Sequence, residues 1–108
     1  MVIIKTSKFK RDYRKEITSK YLLKEENRLH NIENFLLSKK NLEDVMLDPL
    51  KNIYYIEKKS GNLKEYYTAR INSKMRLIIK PNSNYPYNIV EIQELIFECI
   101  DNTHYGEG

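Results

Sequence analysis

The sequence is poor in the residues that link small proteins through disulfides or metal ions. Among 108 residues there are one cysteine, two histidines and no tryptophan. One cysteine excludes an intramolecular disulfide and a cysteine-based metal site, and two histidines are too few for a histidine-rich one. Cys99 lies in the run "LIFECI", where we expect a buried thiol that behaves as a small hydrophobic side chain. We therefore expect a protein without metal or cofactor.

Long apolar runs are also missing. No segment approaches the ~18 apolar residues of a membrane helix. The N-terminus, "MVIIKTSKFKRDY", lacks the hydrophobic region of a secretory signal. With the single cysteine, these absences indicate a cytoplasmic protein that has no membrane partner. A composition of 41% apolar and 31% charged residues indicates one globular domain over residues 1–108.

Charge is abundant and unevenly distributed. The formal net charge is +4. Residues 1–24 carry eight lysines and arginines against two acids, whereas residues 81–108 carry five acids and no lysine or arginine. A basic segment is typical of a protein with an anionic partner such as RNA, but also of a solvated lysine-rich surface. Charge alone leaves both interpretations open.

The apolar pattern predicts an α+β fold that begins with the strand "VIIK". A helix capped by Thr6 or Ser7 follows, and "YLLKEENRLHNIENFLLSKK" has the period of a second helix. After the connector "NLEDVMLDPLKN" come "IYYIE", a candidate short strand, and the β-rich runs "EYYTARI", "MRLIIK" and "YNIVEIQELIFECI". This order predicts a helix hairpin packed on one face of an antiparallel sheet of about four strands, with the other face open.

The open face is where the sequence predicts a function. Because side chains alternate along a strand, Arg76 and Lys80 share one face of "MRLIIK". The face of Arg70 depends on the turn before that strand. A three-residue turn, 72–74, puts Arg70 opposite Arg76, whereas a two-residue turn sends Arg70 to the other side. Like charges directly opposite would repel unless an anion lay between them, and an ion pair with a glutamate is the alternative for either arginine.

The end of the chain supplies groups that can transfer protons. His104 and Tyr105 follow the last predicted strand. Cleavage of RNA must remove a proton from the attacking 2′-hydroxyl, donate one to the leaving 5′-oxygen and stabilise negative charge on the phosphate. Histidine, tyrosine and arginine supply these functions. A tail histidine without a role is the alternative interpretation of His104.

Together these segments resemble the RelE/ParE superfamily of bacterial toxins from toxin–antitoxin modules, and in particular its YoeB-like and HigB-like ribonuclease branches. The similarity runs from "DPLK" through "GNLKEYYTARINSKMRLIIK" to the terminal "HY". It implies a RelE-like, microbial-RNase-like fold. It also implies a metal-independent endoribonuclease that cleaves mRNA, with the ribosome and a cognate antitoxin as partners. The segment "NIYYIEKKSGNLKEYY" is longer than the corresponding connection in the family.

The resemblance also implies roles for individual residues. Arg76 corresponds to the arginine that contacts the scissile phosphate, and His104 to a C-terminal histidine that acts as general acid. Tyr105 follows that histidine, as it does in the YoeB-like branch. Arg70 corresponds to the first arginine of the R-I-x(4)-R pattern and is expected to contact the substrate backbone. Asp48 in "DPLK" resembles an acidic general base.

Other side chains are weaker candidates. Lys51, Lys64 and Lys74 are candidate phosphate contacts, or solvated lysines. In the pairs Tyr54–Tyr55 and Tyr66–Tyr67, the outward ring could stack on a base, although packing within the sheet is the better interpretation. The superfamily also includes toxins that inhibit DNA gyrase without nuclease chemistry. That activity, or a simple RNA-binding module, is the alternative function.

Overall fold

The computed structural model describes residues 1–102. It contains five strands and three α-helices in an α+β arrangement, so the predicted fold class is confirmed. In chain order these are β1 (Val2–Lys5), α1 (Ser7–Glu16), α2 (Leu23–Leu37), α3 (Leu42–Leu47), β2 (Glu57–Lys58), β3 (Tyr67–Arg70), β4 (Arg76–Pro81) and β5 (Glu94–Asp101). Short 3₁₀ turns lie at Thr18–Lys20, Pro49–Asn52 and Gly61–Leu63. No helix within residues 1–102 has the length and apolar character needed to cross a membrane.

Helix α1 starts at the predicted cap. The Thr6 hydroxyl accepts a hydrogen bond from the Phe9 N–H at 2.9 Å and donates one to the Glu98 carbonyl oxygen at 2.7 Å. The predicted apolar stripe faces the core, where Phe9 and Ile17 are buried and Tyr13 is half-buried. One threonine therefore ends β1, starts α1 and ties the helix to β5.

Helix α2 packs beside α1 through the predicted apolar face. Its buried residues are Leu29, Ile32, Phe35 and Leu36. Leu37, the last residue of the helix, is 45% exposed. The Tyr13 hydroxyl links the helices by donating to Glu26 Oε2 at 2.7 Å. Burial and this bond raise the pKa of Tyr13 to about 12.

The sheet is mixed, not fully antiparallel as expected. Its strand order is β1-β5-β4-β3-β2, with β1 parallel to β5 and the other neighbours antiparallel. β-rich runs indicate strands but not their directions. Parallel neighbours need a long crossover connection, and the elements from α1 to β4 provide one between β1 and β5.

The segment between α2 and β3 differs from the predicted connector and strand. Asn41 Oδ1 accepts from the Asp44 N–H at 2.9 Å and starts α3, which the connector assignment missed. In the candidate strand "IYYIE", residues 53–55 form a turn, and only the last residue, Glu57, belongs to β2. The Tyr54 carbonyl oxygen still accepts from the Arg70 N–H at 2.8 Å, so this turn lies against the edge of β3.

A bulge in β5 decides which residues face the open side of the sheet. Ile78 pairs with Cys99 but Ile79 pairs with Phe97, so Glu98 is the extra residue. This extra residue shifts the alternation by one position. Ile100 consequently turns into the core, and Asp101 turns to the face that carries Arg76.

Candidate functional site

Two arginines lie side by side where β3 and β4 meet at one end of the open face. The register pairs Arg70 directly with Arg76, as a three-residue turn requires. The Ile71 N–H donates to the Met75 carbonyl oxygen at 2.9 Å and closes this turn. Asn72 Oδ1 stabilises it by accepting from the N–H groups of residues 74 and 75, at 2.8 Å and 2.7 Å. Of the two registers that the sequence allowed, this is the one that brings the arginines together.

An acidic residue continues the row. Asp101 lies directly opposite Arg76 on β5, so the order across the sheet is Arg70, Arg76, Asp101. Opposite charges in register stabilise a sheet, whereas like charges in register destabilise it. Asp101 therefore balances one of the two cations, and the row keeps a net charge of +1 at the end of the open face.

Tyr55 covers the guanidinium of Arg70. The Arg70 Cζ lies 3.9 Å from the centroid of the Tyr55 ring. Tyr55 has a φ of 51°, in the left-handed region that non-glycine residues rarely adopt. The side chain is nonetheless 47% exposed. Sequence alternation had treated Tyr54 and Tyr55 as strand residues, and the turn conformation is what presents Tyr55 to Arg70.

Arg28 holds this turn against β3. Its Nε donates to the Arg70 carbonyl oxygen and its guanidinium NH₂ donates to the Ile53 carbonyl oxygen, both at 2.7 Å. Its Cζ also lies 5.4 Å from the Tyr54 ring centroid. Nothing in the sequence around Arg28 indicates these contacts, because they join residues 25 and 42 positions apart.

A groove of about 1070 Å³ opens between α2, this turn and the β3–β4 turn. Its lining includes four cations, Lys24, Arg28, Arg70 and Lys74, and one acid, Glu25. Glu25 Oε2 accepts from the Asn72 side-chain amide at 3.0 Å and so fixes the β3–β4 turn to α2. The groove is therefore a cationic depression with an exposed aromatic ring, continuous with the arginine pair through Arg70.

The three candidate lysines lie in different places. Lys74 is exposed in the β3–β4 turn and lines the groove beside Arg70. Lys51 lies in a 3₁₀ turn, where its Nζ donates to Asn52 Oδ1 at 3.2 Å. Lys64 precedes β3, at the end opposite Arg70, with its Nζ 5.4 Å from the Tyr85 ring centroid. Only Lys74 of these three is grouped with the arginines.

Asp48 lies in the helix layer, between the ends of α2 and α3. Its carboxylate accepts from Lys39 Nζ and, at 2.8 Å, from the Leu50 N–H, so that it caps the 3₁₀ turn Pro49–Asn52. The hydrogen bond from Lys39, followed by that from Leu50, lowers the pKa of Asp48. These contacts give the residue a capping role.

His104 and Tyr105 lie outside the described residues. The described chain ends beside Arg76, because Asp101 is the last residue of β5. Helix α1 fixes this end: Asp12 Oδ2 accepts from the Ile100 N–H at 3.1 Å, and Glu16 Oε1 accepts from the Asn102 side-chain amide at 2.9 Å.

Cys99 shows no sign of reactivity. It is half-buried on the open face, and burial raises the pKa of its thiol, so the neutral thiol predominates at neutral pH. Within residues 1–102 there is no group of three or more histidine, cysteine or acidic side chains that could hold a metal ion.

Solved structures with this fold include known toxins. YafQ from Escherichia coli superposes with a TM-score of 0.63 and 19% identity over 98% of this chain and 97% of that one. YafQ in its Escherichia coli complex with DinJ gives 0.60 and 19% over 93% and 90%. A YoeB/ParE toxin from Agrobacterium tumefaciens gives 0.59 and 14% over 94% and 98%. No family model and no curated protein matches the sequence. The RelE-like fold implied by the sequence is therefore confirmed.

Proposed function

We propose that this chain is a toxin of the RelE/ParE type that cleaves mRNA and is neutralised by a cognate antitoxin. The observation that carries the proposal is the register of the open face, in which Arg70 and Arg76 are adjacent where the last strand ends. Asp101 balances one of the two guanidinium charges, and the second favours an anion that binds beside the pair. A phosphodiester is the anion whose geometry suits two guanidinium groups.

The cleavage step uses groups from both the sheet and the chain end. The 2′-hydroxyl gives its proton to a general base, for which Asp48 is the candidate, and its oxygen bonds to phosphorus. The bond from phosphorus to the 5′-oxygen breaks at the same time, which yields a 2′,3′-cyclic phosphate and, once the leaving oxygen is protonated, a 5′-hydroxyl. Arg76 stabilises the negative charge that develops on the non-bridging oxygens. His104 donates a proton to the leaving 5′-oxygen, and Tyr105 orients the nucleotide. Arg70 and Lys74 bind the flanking phosphates.

Sequence separation supports the pairing of Arg76 with His104. Asp101 is in register with Arg76 on the neighbouring strand. His104 follows Asp101 by three residues, which span at most ~11 Å when fully extended. A separation of this length is compatible with the proposed action of His104 and Arg76 on one phosphate.

The general base remains a prediction. Lys39 and the Leu50 N–H lower the pKa of Asp48. A low pKa keeps the carboxylate ionised at neutral pH, as a base requires, but also makes it a weaker proton acceptor. The groups that donate to its carboxylate, Lys39 and the Leu50 N–H, do not include Arg70 or Arg76, so the assignment depends on the resemblance alone.

The partners are part of the same proposal. YafQ was crystallised with DinJ in a toxin–antitoxin complex. By analogy, a cognate antitoxin binds this chain and covers its cationic surface. The ribosome is proposed as the place where the mRNA is presented.

Growth and transcripts test the proposal directly. Induction of the wild-type chain should arrest growth and cut mRNA within translated codons, leaving 5′-hydroxyl ends. Arg76→Ala should lower the cleavage rate by about 10²–10³-fold, as for loss of one transition-state donor. His104→Ala should lower it by about 10²–10⁴-fold, the usual contribution of a general acid.

Two matched variants control for charge and for the loss of a histidine. Arg11 is exposed on α1 and His30 is exposed on α2, so Arg11→Ala and His30→Ala should cleave as the wild type does. Arrest with intact transcripts and damaged DNA would favour gyrase inhibition instead. RNA binding without arrest would leave only a binding module, and either result would overturn the nuclease proposal.

A further inference from the structure

Tyr55 is placed in a way that packing alone does not explain. An aromatic residue with a φ of 51° is in a conformation that the surrounding structure must enforce. The Tyr55 side chain is nonetheless 47% exposed. One side of its ring contacts the Arg70 guanidinium, with 3.9 Å between Cζ and ring centroid. The exposed part of the ring is thus held in a fixed orientation.

Hydrogen bonds hold the backbone that precedes Tyr55. The Tyr54 carbonyl oxygen accepts from the Arg70 N–H at 2.8 Å. Arg28 bridges the carbonyl oxygens of Ile53 and Arg70, each at 2.7 Å. The backbone before Tyr55 is therefore fastened to the same β3 residue whose side chain contacts the ring. A fixed aromatic ring loses little conformational entropy when a ligand stacks on it.

The surroundings of the ring favour a polyanion. The groove that Tyr55 lines has four cations and one acid among its charged residues. Arg70 belongs both to this groove and to the row that contains Arg76. A strand whose phosphate lies at Arg76 would therefore continue into the groove past Arg70. Aromatic rings combined with a cationic track are the means by which proteins bind single-stranded nucleic acid.

We infer that Tyr55 is a base-stacking residue for one unpaired RNA nucleotide that flanks the cleaved linkage. The base of that nucleotide stacks on the exposed part of the Tyr55 ring, and its phosphate lies between Arg70 and Lys74. This assignment rests on the ribonuclease function proposed above and adds a subsite to it. An acidic peptide would also be attracted by the cations, but it carries no nucleobase to stack on the ring.

A fluorescent base analogue tests the stacking. The probe is a short 2′-O-methyl RNA of the sequence cleaved in cells, which cannot be cut, with 2-aminopurine at each flanking position in turn. Stacking on the wild-type chain should quench 2-aminopurine at one position. Tyr55→Gly should abolish this quenching and raise the Kd about 5- to 150-fold, the equivalent of ~1–3 kcal/mol for one stacked base. Tyr55→Phe should behave as the wild type, because the ring is retained.

Glycine is chosen because it adopts a positive φ without strain, so Tyr55→Gly is expected to fold. Tyr21 provides the matched control, since it also has a positive φ, 55°, is 85% exposed and does not line the groove. Tyr21→Gly should leave both Kd and quenching unchanged. If Tyr55→Gly binds and quenches as the wild type does while Arg76-dependent cleavage persists, the stacking role is wrong and the nuclease function stands. If the wild-type chain neither cleaves nor binds RNA, the proposed function itself fails.

Discussion

The two faces of β4 differ in the side chains that they carry. Leu77 and Ile79 point into the core and are at most 2% exposed. Arg76, Ile78 and Lys80 alternate with them and are half-buried on the open face. On the covered face every side chain adds apolar burial, whereas the open face brings together charges that burial does not require. Neighbouring residues of β4 thus contribute to different properties, those on the covered face to stability and those on the open face to the proposed chemistry. Substitutions on the two faces should therefore have separable effects.

The largest expected effect on stability is at the covered face of β5. Phe97 is fully buried, with its ring 5.4 Å from that of Phe9. Phe97→Ala should lower the free energy of unfolding by about 3–5 kcal/mol, because it removes a large apolar side chain and leaves a cavity. Urea unfolding followed by circular dichroism measures this loss. Ile96, its half-buried neighbour on the open face, is the control. Ile96→Ala should cost about 1 kcal/mol, and equal losses at both positions would contradict the separation of the faces.

A smaller effect, on binding and not on folding, is expected at the open face. If Arg70 contacts a phosphate, Arg70→Ala should weaken binding of a non-cleavable RNA by about 1.5 kcal/mol, roughly tenfold. The slope of log K against log salt concentration should also decrease by about 0.7, the value for one contact with a single strand. The free energy of unfolding should change little, because the variant also removes the repulsion from Arg76.

Two variants sharpen this result. Arg11→Ala removes the same charge from an exposed position on α1, outside the row of Arg70 and Arg76, and should not alter the slope. Arg70→Lys keeps the charge and should restore the slope, but it should not restore the contact with Tyr55. An unchanged slope in Arg70→Ala would mean that the arginine pair does not face the RNA backbone.

The covered face could be predicted from the sequence because it depends on periodicity. The stripe on α1 and the alternation along β4 follow from the spacing of apolar residues, and the structure has both. The sequence predicts a cap at Thr6 or Ser7, and Thr6 is the residue that accepts from the Phe9 N–H. Parallel pairing of β1 with β5 was missed, because direction depends on which strands meet and not on the composition of either.

The candidate site could be predicted only in part. The pairing of Arg70 with Arg76 was one of two registers allowed by the turn, and the hydrogen bonds of Asn72 explain which one forms. Tyr55 and Arg28 were missed as a unit. The orientation of the Tyr55 ring depends on a left-handed backbone conformation, which a tyrosine in the sequence does not indicate. Arg28 acts by donating to carbonyl oxygens that are far away in sequence. Contacts to backbone atoms leave no pattern in the sequence.

The smallest expected effect is that of Asp48→Asn, which distinguishes a capping role of Asp48 from a role as general base. Lys39 and the Leu50 N–H hold the pKa of Asp48 below its ordinary value of 3.8. The folded state therefore binds fewer protons than the unfolded state near that value, so Asp48 stabilises the fold above its unfolded pKa. This contribution is lost as the pH falls through the lowered, folded pKa. Asp48→Asn should accordingly lower the melting temperature at pH 7, and the difference from the wild type should shrink as the pH is lowered below 3.8.

RNA cleavage by Asp48→Asn tests whether the proposed chemistry is confined to the open face of the sheet. Asp48 lies in the helix layer, so if chemistry is confined to the open face, Asp48→Asn should cleave RNA at close to the wild-type rate. Glu43→Gln, which removes a nearby negative charge on α3, controls for the change in net charge. A loss of about 10²–10⁴-fold that is specific to Asp48→Asn would establish the general base implied by the resemblance. Because a carboxylate must come within hydrogen-bond reach of the 2′-hydroxyl to act, that result would also require the RNA to extend around the sheet edge to the end of α3.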